Sequence, residues 1–266
     1  MATKQKDTMP PIRPSTQDRG SLIRAARLAS GAVLALILLL ASVGTASAAR
    51  ANTWTGQVAP SGSWEGITYG NSQFVAVGSS GTNQVMTSPV GITWTAHAVP
   101  EASYWRSVAF GNGTFVAVGG VKSGVSTHPV MSSTDGATWT ARDATNSDDW
   151  RDIVFGNGLF VAVSYQGSIM TSPDGTTWTA RTAPSGWTLV DRISYGNGVF
   201  LITDGNSRIG RSTDGITWTA ATLPPGGISG PALVYGNNQW LTVPDTTNSG
   251  AVLVSSDNGI NSRKIF

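Results

Sequence analysis

Along most of this chain, short apolar runs alternate with polar turns at a fixed period. Trp150-Arg151-Asp152-Ile153-Val154-Phe155 is rich in aromatic and β-branched residues. Gly156-Asn157-Gly158 interrupts it, and Phe160-Val161-Ala162-Val163 follows. An Asn-Gly step between two such runs predicts a β-hairpin, because both residues accept the positive φ of a type I′ turn. Ser168-Ile169-Met170-Thr171 predicts a third strand. Ser172-Pro173-Asp174-Gly175 predicts the next turn. There Pro presets φ, the Asp side chain bonds the turn backbone and Gly takes the positive φ. Thr177-Trp178-Thr179 predicts a fourth strand. The unit recurs. Its Gly-Asn pairs stand at Gly70, Gly111, Gly156, Gly196 and Gly236, spaced by 41, 45, 40 and 40 residues. A period near 40 built of short strands indicates a repeat architecture.

Four antiparallel strands per repeat, with no helical spacing after the first 48 residues, predict an all-β, five-bladed β-propeller. Runs such as Phe115-Val116-Ala117-Val118 are apolar at both alternating positions. A sheet packed between two neighbours has no solvated face and needs this pattern. Thr-Trp-Thr closes four repeats, at Trp94, Trp139, Trp178 and Trp218, and reads as a core plug between blades. The fifth repeat lacks it, while Thr53-Trp54-Thr55 stands unmatched before the first repeat. The expectation is that this N-terminal strand completes the last blade and closes the ring, in one domain spanning residues 49–266.

Residues 1–48 carry a different signal. Lys4, Lys6, Arg13, Arg19, Arg24 and Arg27 precede an apolar run from Ala32 to Val43, and Ala46-Ser47-Ala48 follows as a cleavage motif. That order predicts a secretory signal peptide, and a secreted or cell-envelope location. If retained, the segment is a membrane anchor; after cleavage no membrane association is expected. The leader holds six of the 17 basic and two of the 15 acidic residues, so removing it leaves 11 basic and 13 acidic groups, a net charge of −2. The basic pI belongs to the leader and gives no footprint for nucleic acid, which needs clustered Lys and Arg on the folded domain. No cysteine is present, so no disulfide supports the exported fold.

Ser133-Thr134-Asp135-Gly136-Ala137-Thr138-Trp139, with its copies beginning at Ser172 and Ser212, resembles the Asp-box (BNR) repeat of sialidase-like propellers. The chain is also similar to photosystem-assembly-factor-like propellers. The family's usual form has one residue between Asp and Gly. Only Ser255-Ser256-Asp257-Asn258-Gly259 keeps that spacing, and the first copy has Val90 in place of Asp. The resemblance implies structural turns at Ser133, Asp135, Gly136, Ser172, Asp174, Gly175, Ser212, Asp214, Gly215, Ser255, Asp257 and Gly259. It implies no activity, since a fold does not carry one.

The turns repeat, whereas the connections at the opposite end vary: Gly119 to Pro129, Arg142 to Asp149, Arg181 to Trp187 and Leu223 to Gly230. Variable loops on a rigid scaffold are where binding resides. The candidate ligand-binding residues there are Tyr104, Trp105, Arg106, His128, Asp149, Trp150, Arg151, Tyr165 and Trp187. Trp64, Trp105 and Trp150 recur ahead of their Gly-Asn pairs, and either cap the blade core or offer flat rings to a sugar. Tyr104, Tyr165 and Trp187 do not follow the repeat. Arg106, Arg151 and Arg192 pair with Glu65, Asp152 or Asp191, or else form an anion pocket. Two isolated His residues make no zinc site, and neither a metal nor a cofactor is expected. The function this supports is a monomeric, non-catalytic binding scaffold for a protein or a surface glycan. The alternative is a glycan hydrolase with Glu65 and Asp191 as convergent carboxylates across the central channel.

Overall fold

The structure, a computed structural model, describes residues 55–122, 127–205, 208–221, 232–243, 252–257 and 263–265. The leader, Thr53, Trp54 and Gly259 lie outside them. Every described strand belongs to the unit that begins at Thr55. Twenty strands form five antiparallel sheets of four, each in simple consecutive order. Sheet 1 holds β1 (Ser63–Gly70), β2 (Gln73–Ser80), β3 (Val85–Ser88) and β4 (Thr95–His97). Sheet 2 holds β5 (Tyr104–Gly111), β6 (Thr114–Gly120), β7 (Val130–Ser133) and β8 (Thr140–Arg142). Sheet 3 holds β9 (Trp150–Gly156), β10 (Leu159–Ser164), β11 (Ile169–Ser172) and β12 (Thr179–Arg181). Sheet 4 holds β13 (Val190–Gly196), β14 (Val199–Asp204), β15 (Ile209–Ser212) and β16 (Thr219–Ala220). Sheet 5 holds β17 (Ala232–Gly236), β18 (Gln239–Val243), β19 (Val252–Ser255) and β20 (Arg263–Ile265).

The hairpins form as their sequences require. Gly111 faces Thr114 and Gly156 faces Leu159, each across a two-residue loop. Asn112 and Gly113 have φ of 48° and 75°, and Asn157 and Gly158 have 48° and 74°. Both central residues are therefore left-handed, as in a type I′ turn.

The Asp turns are hydrogen-bond cages. Ser133 Oγ donates to Asp135 Oδ1 at 2.9 Å and accepts from the Gly136 N–H at 2.8 Å. Asp135 Oδ1 also accepts from the N–H groups of Ala137 and Thr138, at 2.8 and 2.7 Å. Those bonds, led by the one from Thr138, hold the Asp135 carboxyl at about 2, well below its ordinary 3.8. The cages of Asp174 and Asp214 repeat this arrangement. Asn112 Nδ2 donates to Pro173 O and Asn157 Nδ2 to Thr213 O, so each Gly-Asn turn ties to the Asp turn of the next sheet.

Closure differs from the expectation. The outermost place in sheet 5 belongs to β20, which pairs with β19 through Val252↔Ile265 and Val254↔Arg263. The place reserved for Thr53-Trp54-Thr55 is thus filled from the other end of the chain, and Thr55 is in no strand. The lysine and arginine of β20 carry no Trp signature by which the sequence would announce a strand.

The first strands pack in succession, β1 on β5, β5 on β9, β9 on β13 and β13 on β17, and no comparable packing joins β17 to β1. Four apolar clusters fill the four gaps. At the Gly-Asn end, a Cβ on Gly70, Gly111, Gly156 or Gly196 would fall on the ring of Phe110, Phe155, Tyr195 or Tyr235 of the next sheet. Glycine is required there by close approach. Gly236, the fifth in the series, meets nothing within 4 Å.

Candidate functional site

Each first strand runs from the variable-loop end of its sheet to the Gly-Asn turn. Residues that open β5 and β9 therefore share an end with the loops after β6 and β10. Arg106 and Arg151 converge there on Asp149. Arg106 Nε and Nη2 donate to Asp149 Oδ1 and Oδ2 at 2.9 and 3.2 Å, a two-point grip that fixes the guanidinium plane. Arg151 Nη2 lies 2.9 Å from Asp149 Oδ2. Glu65 Oε2 stands 3.9 Å from Arg106 Nη1 and accepts, through Oε1, from Ser79 Oγ at 2.5 Å. The backbone of Asp149 is pinned as well: its carbonyl accepts from the Tyr165 N–H at 2.9 Å, and its N–H donates to Gln166 Oε1 at 3.0 Å. Gly120 clears the space, since a Cβ there would stand 2.5 Å from Asp149 Oδ1.

Cations lie over aromatic rings at this end of three sheets. The Arg151 guanidinium is 4.7 Å from the Tyr165 ring centre, Arg208 is 4.9 Å from that of Trp187, and Lys122 Nζ is 5.8 Å from that of Tyr104. Such pairs orient the cation and retain part of its charge for a ligand. Arg208 is further held by Asp204 Oδ2, which accepts from its Nε at 2.7 Å. Tyr104 and Tyr165 are each 41% exposed.

Of the nine candidate residues, the structure gathers Arg106, Asp149, Arg151 and Tyr165 into one cluster. Tyr104 opens β5 two residues before Arg106. Three others are corrected by burial. Trp105 and Trp150 have no exposed surface and lie in the clusters between sheets 1 and 2 and between sheets 2 and 3. Trp187 is buried between sheets 3 and 4 although it breaks the repeat. None of the three offers a ring face to a sugar. His128 is engaged elsewhere, with Nδ1 2.6 Å from Glu101 Oε1 and Nε2 3.4 Å from Asp143 Oδ1. The Glu101 carboxyl sits below its ordinary range, first because the Thr127 N–H bonds it. Arg151 pairs with Asp149 and not with Asp152.

Asp152 was expected only as an ion partner of an arginine, and its part as a hydrogen-bond hub escaped the sequence reading. It is half-buried and accepts from Ser107 Oγ at 2.7 Å, from the Ile153 N–H at 3.0 Å and from the Ile193 N–H at 3.1 Å. One carboxyl thereby bridges sheets 2, 3 and 4, while burial pushes its pKa up. Lys122, Arg208 and Asp204 were missed too, because nothing in their spacing marks a cation for a ring two elements away.

Between the first strands lies a cavity of about 310 Å³ lined by Thr68, Val108, Ala109, Phe110, Ile153, Val154, Phe155, Ser194 and Tyr195. It holds no carboxylate, His or Lys. A groove of about 430 Å³ at the turn end includes Asp135 and Asp174, each with its Oδ1 already accepting from turn N–H groups. Among the described residues no group of three or more His, Asp or Glu is gathered as metal ligands are.

No protein-family model and no curated protein sequence matches the chain. Solved structures do. The chain is similar to a streptogramin B lyase at 15% identity and a TM-score of 0.63, over 78% of this chain and 70% of that one. It is similar to the Niastella koreensis GH74 enzyme at 19% and 0.57, over 76% of this chain but 30% of the enzyme. A chain of a nidogen–laminin complex matches at 13% and 0.56, over 72% and 74%. These neighbours are β-propeller proteins. Five antiparallel four-stranded sheets fit that architecture, and at such identities the likeness carries the fold alone.

Proposed function

We propose that this protein is an exported, non-catalytic β-propeller scaffold whose variable-loop end binds a protein or a surface glycan. The observation that carries this is the separation of chemistry from cavity. The space between the first strands is lined by apolar, hydroxyl and phenol groups, whereas the charged and exposed aromatic side chains meet at the loop end. A hydrolase acting through the channel needs an acid and a second carboxylate facing the reacting bond. Glu65 is instead engaged by Arg106 and Ser79, and Asp191 stands 3.9 Å from Arg192. Tyr104 and Tyr165 offer stacking surfaces, and Arg106, Arg151 and Asp149 supply directional hydrogen bonds held in place before any ligand arrives. Preorganised groups bind with less loss of side-chain freedom. A nidogen–laminin complex among the structural neighbours is a precedent for a protein partner on this fold. The leader, with its basic start, apolar run and cleavage motif, supports export.

The test is binding of the full protein to a surface-glycan array and to a panel of envelope proteins. Tyr165→Ala and Arg151→Ala are expected to weaken the interaction found by about 1–3 kcal/mol, roughly tenfold or more, with folding nearly intact. Glycan hydrolysis abolished by Glu65→Gln or Asp191→Asn would overturn the reading.

A further inference from the structure

The two ends of the stack of sheets carry opposite halves of one interface. Inside the chain that interface forms four times, always from the same positions. The sheet that follows contributes an aliphatic residue and an aromatic ring from its first strand. The sheet before contributes the glycine on which the ring lies. Val108, Ile153 and Ile193 hold the aliphatic position and are 5%, 3% and 4% exposed. Ile67 holds it in sheet 1 and is 60% exposed. The ring position there is Tyr69, exposed at 57%. Sheet 5 presents the complement: Gly236 meets nothing within 4 Å, and Val234, in the middle of β17, is 59% exposed. Stacked repeats need terminal units with polar outer faces to remain soluble. At both ends apolar positions of the first strand stand exposed among the described residues, and exposed apolar surface of this kind marks an interaction site.

We infer that sheet 1 of one copy docks on sheet 5 of a second copy, Tyr69 seating on Gly236, so that the chain associates head to tail with itself. The partner's chemistry follows from continuity with the internal interfaces, because the knob and the hole that fit each other are both written in this chain. Such a contact is heterologous: it joins different surfaces of the two copies, and so builds either a closed ring of copies or an open chain. The sequence led to the expectation of a monomer; in this structure β17 and β1 do not pack on each other as the other successive first strands do.

The chain has no cysteine, which permits a clean test. Tyr69→Cys and Gly236→Cys are made separately in the full chain, both at exposed positions that leave the internal gaps untouched. The two variants are mixed, oxidised mildly and run without reductant. The expected result is a covalent dimer of one variant with the other, reduced at least tenfold when Ile67→Glu is added to the Tyr69→Cys chain. Sedimentation of the unmodified chain is expected to show association that rises with concentration. Cross-linking no greater than in the Ile67→Glu control overturns the inference. So does a double Tyr69→Cys, Gly236→Cys chain that oxidises to a locked single chain without dimer, which would place the contact within one molecule.

Discussion

Ile153 and Ile67 occupy the same place in their repeats, on a first strand three or four residues ahead of the Gly-Asn turn. One is nearly sealed at 3% exposure and the other is 60% exposed. The residue type is identical, so the difference comes from the neighbour. In sheets 2 to 4 every apolar face has a sheet against it, and burial follows. Among the described strands, the first strands of sheets 1 and 5 each pack against that of only one other sheet. Their local details diverge too. The three middle hairpins place Gly113, Gly158 and Gly198 second in the turn, whereas the end sheets place Ser72 and Asn238 there. Sheet 1 also carries Val90 where sheets 2, 3 and 4 carry Asp135, Asp174 and Asp214. A repeat therefore encodes a surface meant for packing, and its position in the stack decides whether that packing is realised.

The largest expected effect sharpens this contrast through tryptophan. Trp150→Ala removes a side chain with no exposed surface and leaves a cavity between sheets 2 and 3, costing about 3–5 kcal/mol. Trp64 is the same position in sheet 1, half-buried, its Nε1 donating to Pro60 O at 2.9 Å. Trp64→Ala is expected to cost clearly less. Urea unfolding midpoints of the two variants check this, and equal losses would break the distinction between middle and end.

These tryptophans also show what the sequence made legible and what it did not. Strand order, hairpin type and the Asp turns were readable because each rests on local chemistry within a few residues: Asn and Gly at positive φ, a carboxylate over the next N–H groups. The convergence of Arg106, Asp149 and Arg151 was partly readable, since all lie at one end of neighbouring repeats. Whether Trp105, Trp150 or Trp187 faces solvent was not, because that depends on which sheet lies over the ring. Trp187 misled by breaking the repeat while still filling the gap between sheets 3 and 4. β20 was illegible for the opposite reason: Arg263-Lys264-Ile265 carries no Thr-Trp-Thr and no alternating apolar run to announce a strand.

Glycine gives the next contrast. A methyl at Gly111 would fall on the Phe155 ring, so Gly111→Ala should cost about 1–3 kcal/mol through overpacking. Gly236→Ala should stay within about 0.5 kcal/mol, since nothing stands near it. Thermal melts of both variants at a concentration too low for association make the comparison. A large loss from Gly236→Ala would mean that the last sheet is covered within its own chain.

The Asp turns offer a smaller effect with a pH signature. Asp135→Ala and Asp214→Ala should each cost about 0.5–2 kcal/mol, as losing a side-chain cap of backbone N–H groups does. Both carboxyls are lowered from 3.8 to about 2 in the folded protein, first by the N–H bonds of Thr138 and Thr217. A depressed carboxyl pKa stabilises the fold above the unfolded value, and that contribution fades as pH falls from about 4 toward 2. The variants should therefore differ from the parent at pH 6 and converge with it near pH 2. Sheet 1 provides the reverse experiment. Its turn keeps the Gly91 N–H to Ser88 Oγ bond at 2.8 Å and the Trp94 Nε1 to Gly91 O bond at 3.2 Å, with Val90 exposed in place of the carboxylate. Val90→Asp should stabilise by a similar amount and confer the same acid sensitivity on the first repeat.

The smallest effect lies in the hairpins that differ between middle and end. Ser72 holds φ of 61°, a left-handed conformation that costs a residue with a Cβ roughly 1–2 kcal/mol and costs glycine almost nothing. Ser72→Gly should therefore gain about 0.5–1 kcal/mol, the remainder being offset by the greater freedom of glycine in the unfolded chain. Gly113→Ser, at φ of 75° in sheet 2, should lose a comparable amount. The two substitutions exchange the turn chemistry of an end sheet and a middle sheet without touching any packed face. If both shift stability by the same magnitude with opposite sign, the hairpins act independently of cover. A gain from Ser72→Gly much smaller than the loss from Gly113→Ser would show that an uncovered sheet transmits its turn energy only weakly to the rest of the fold.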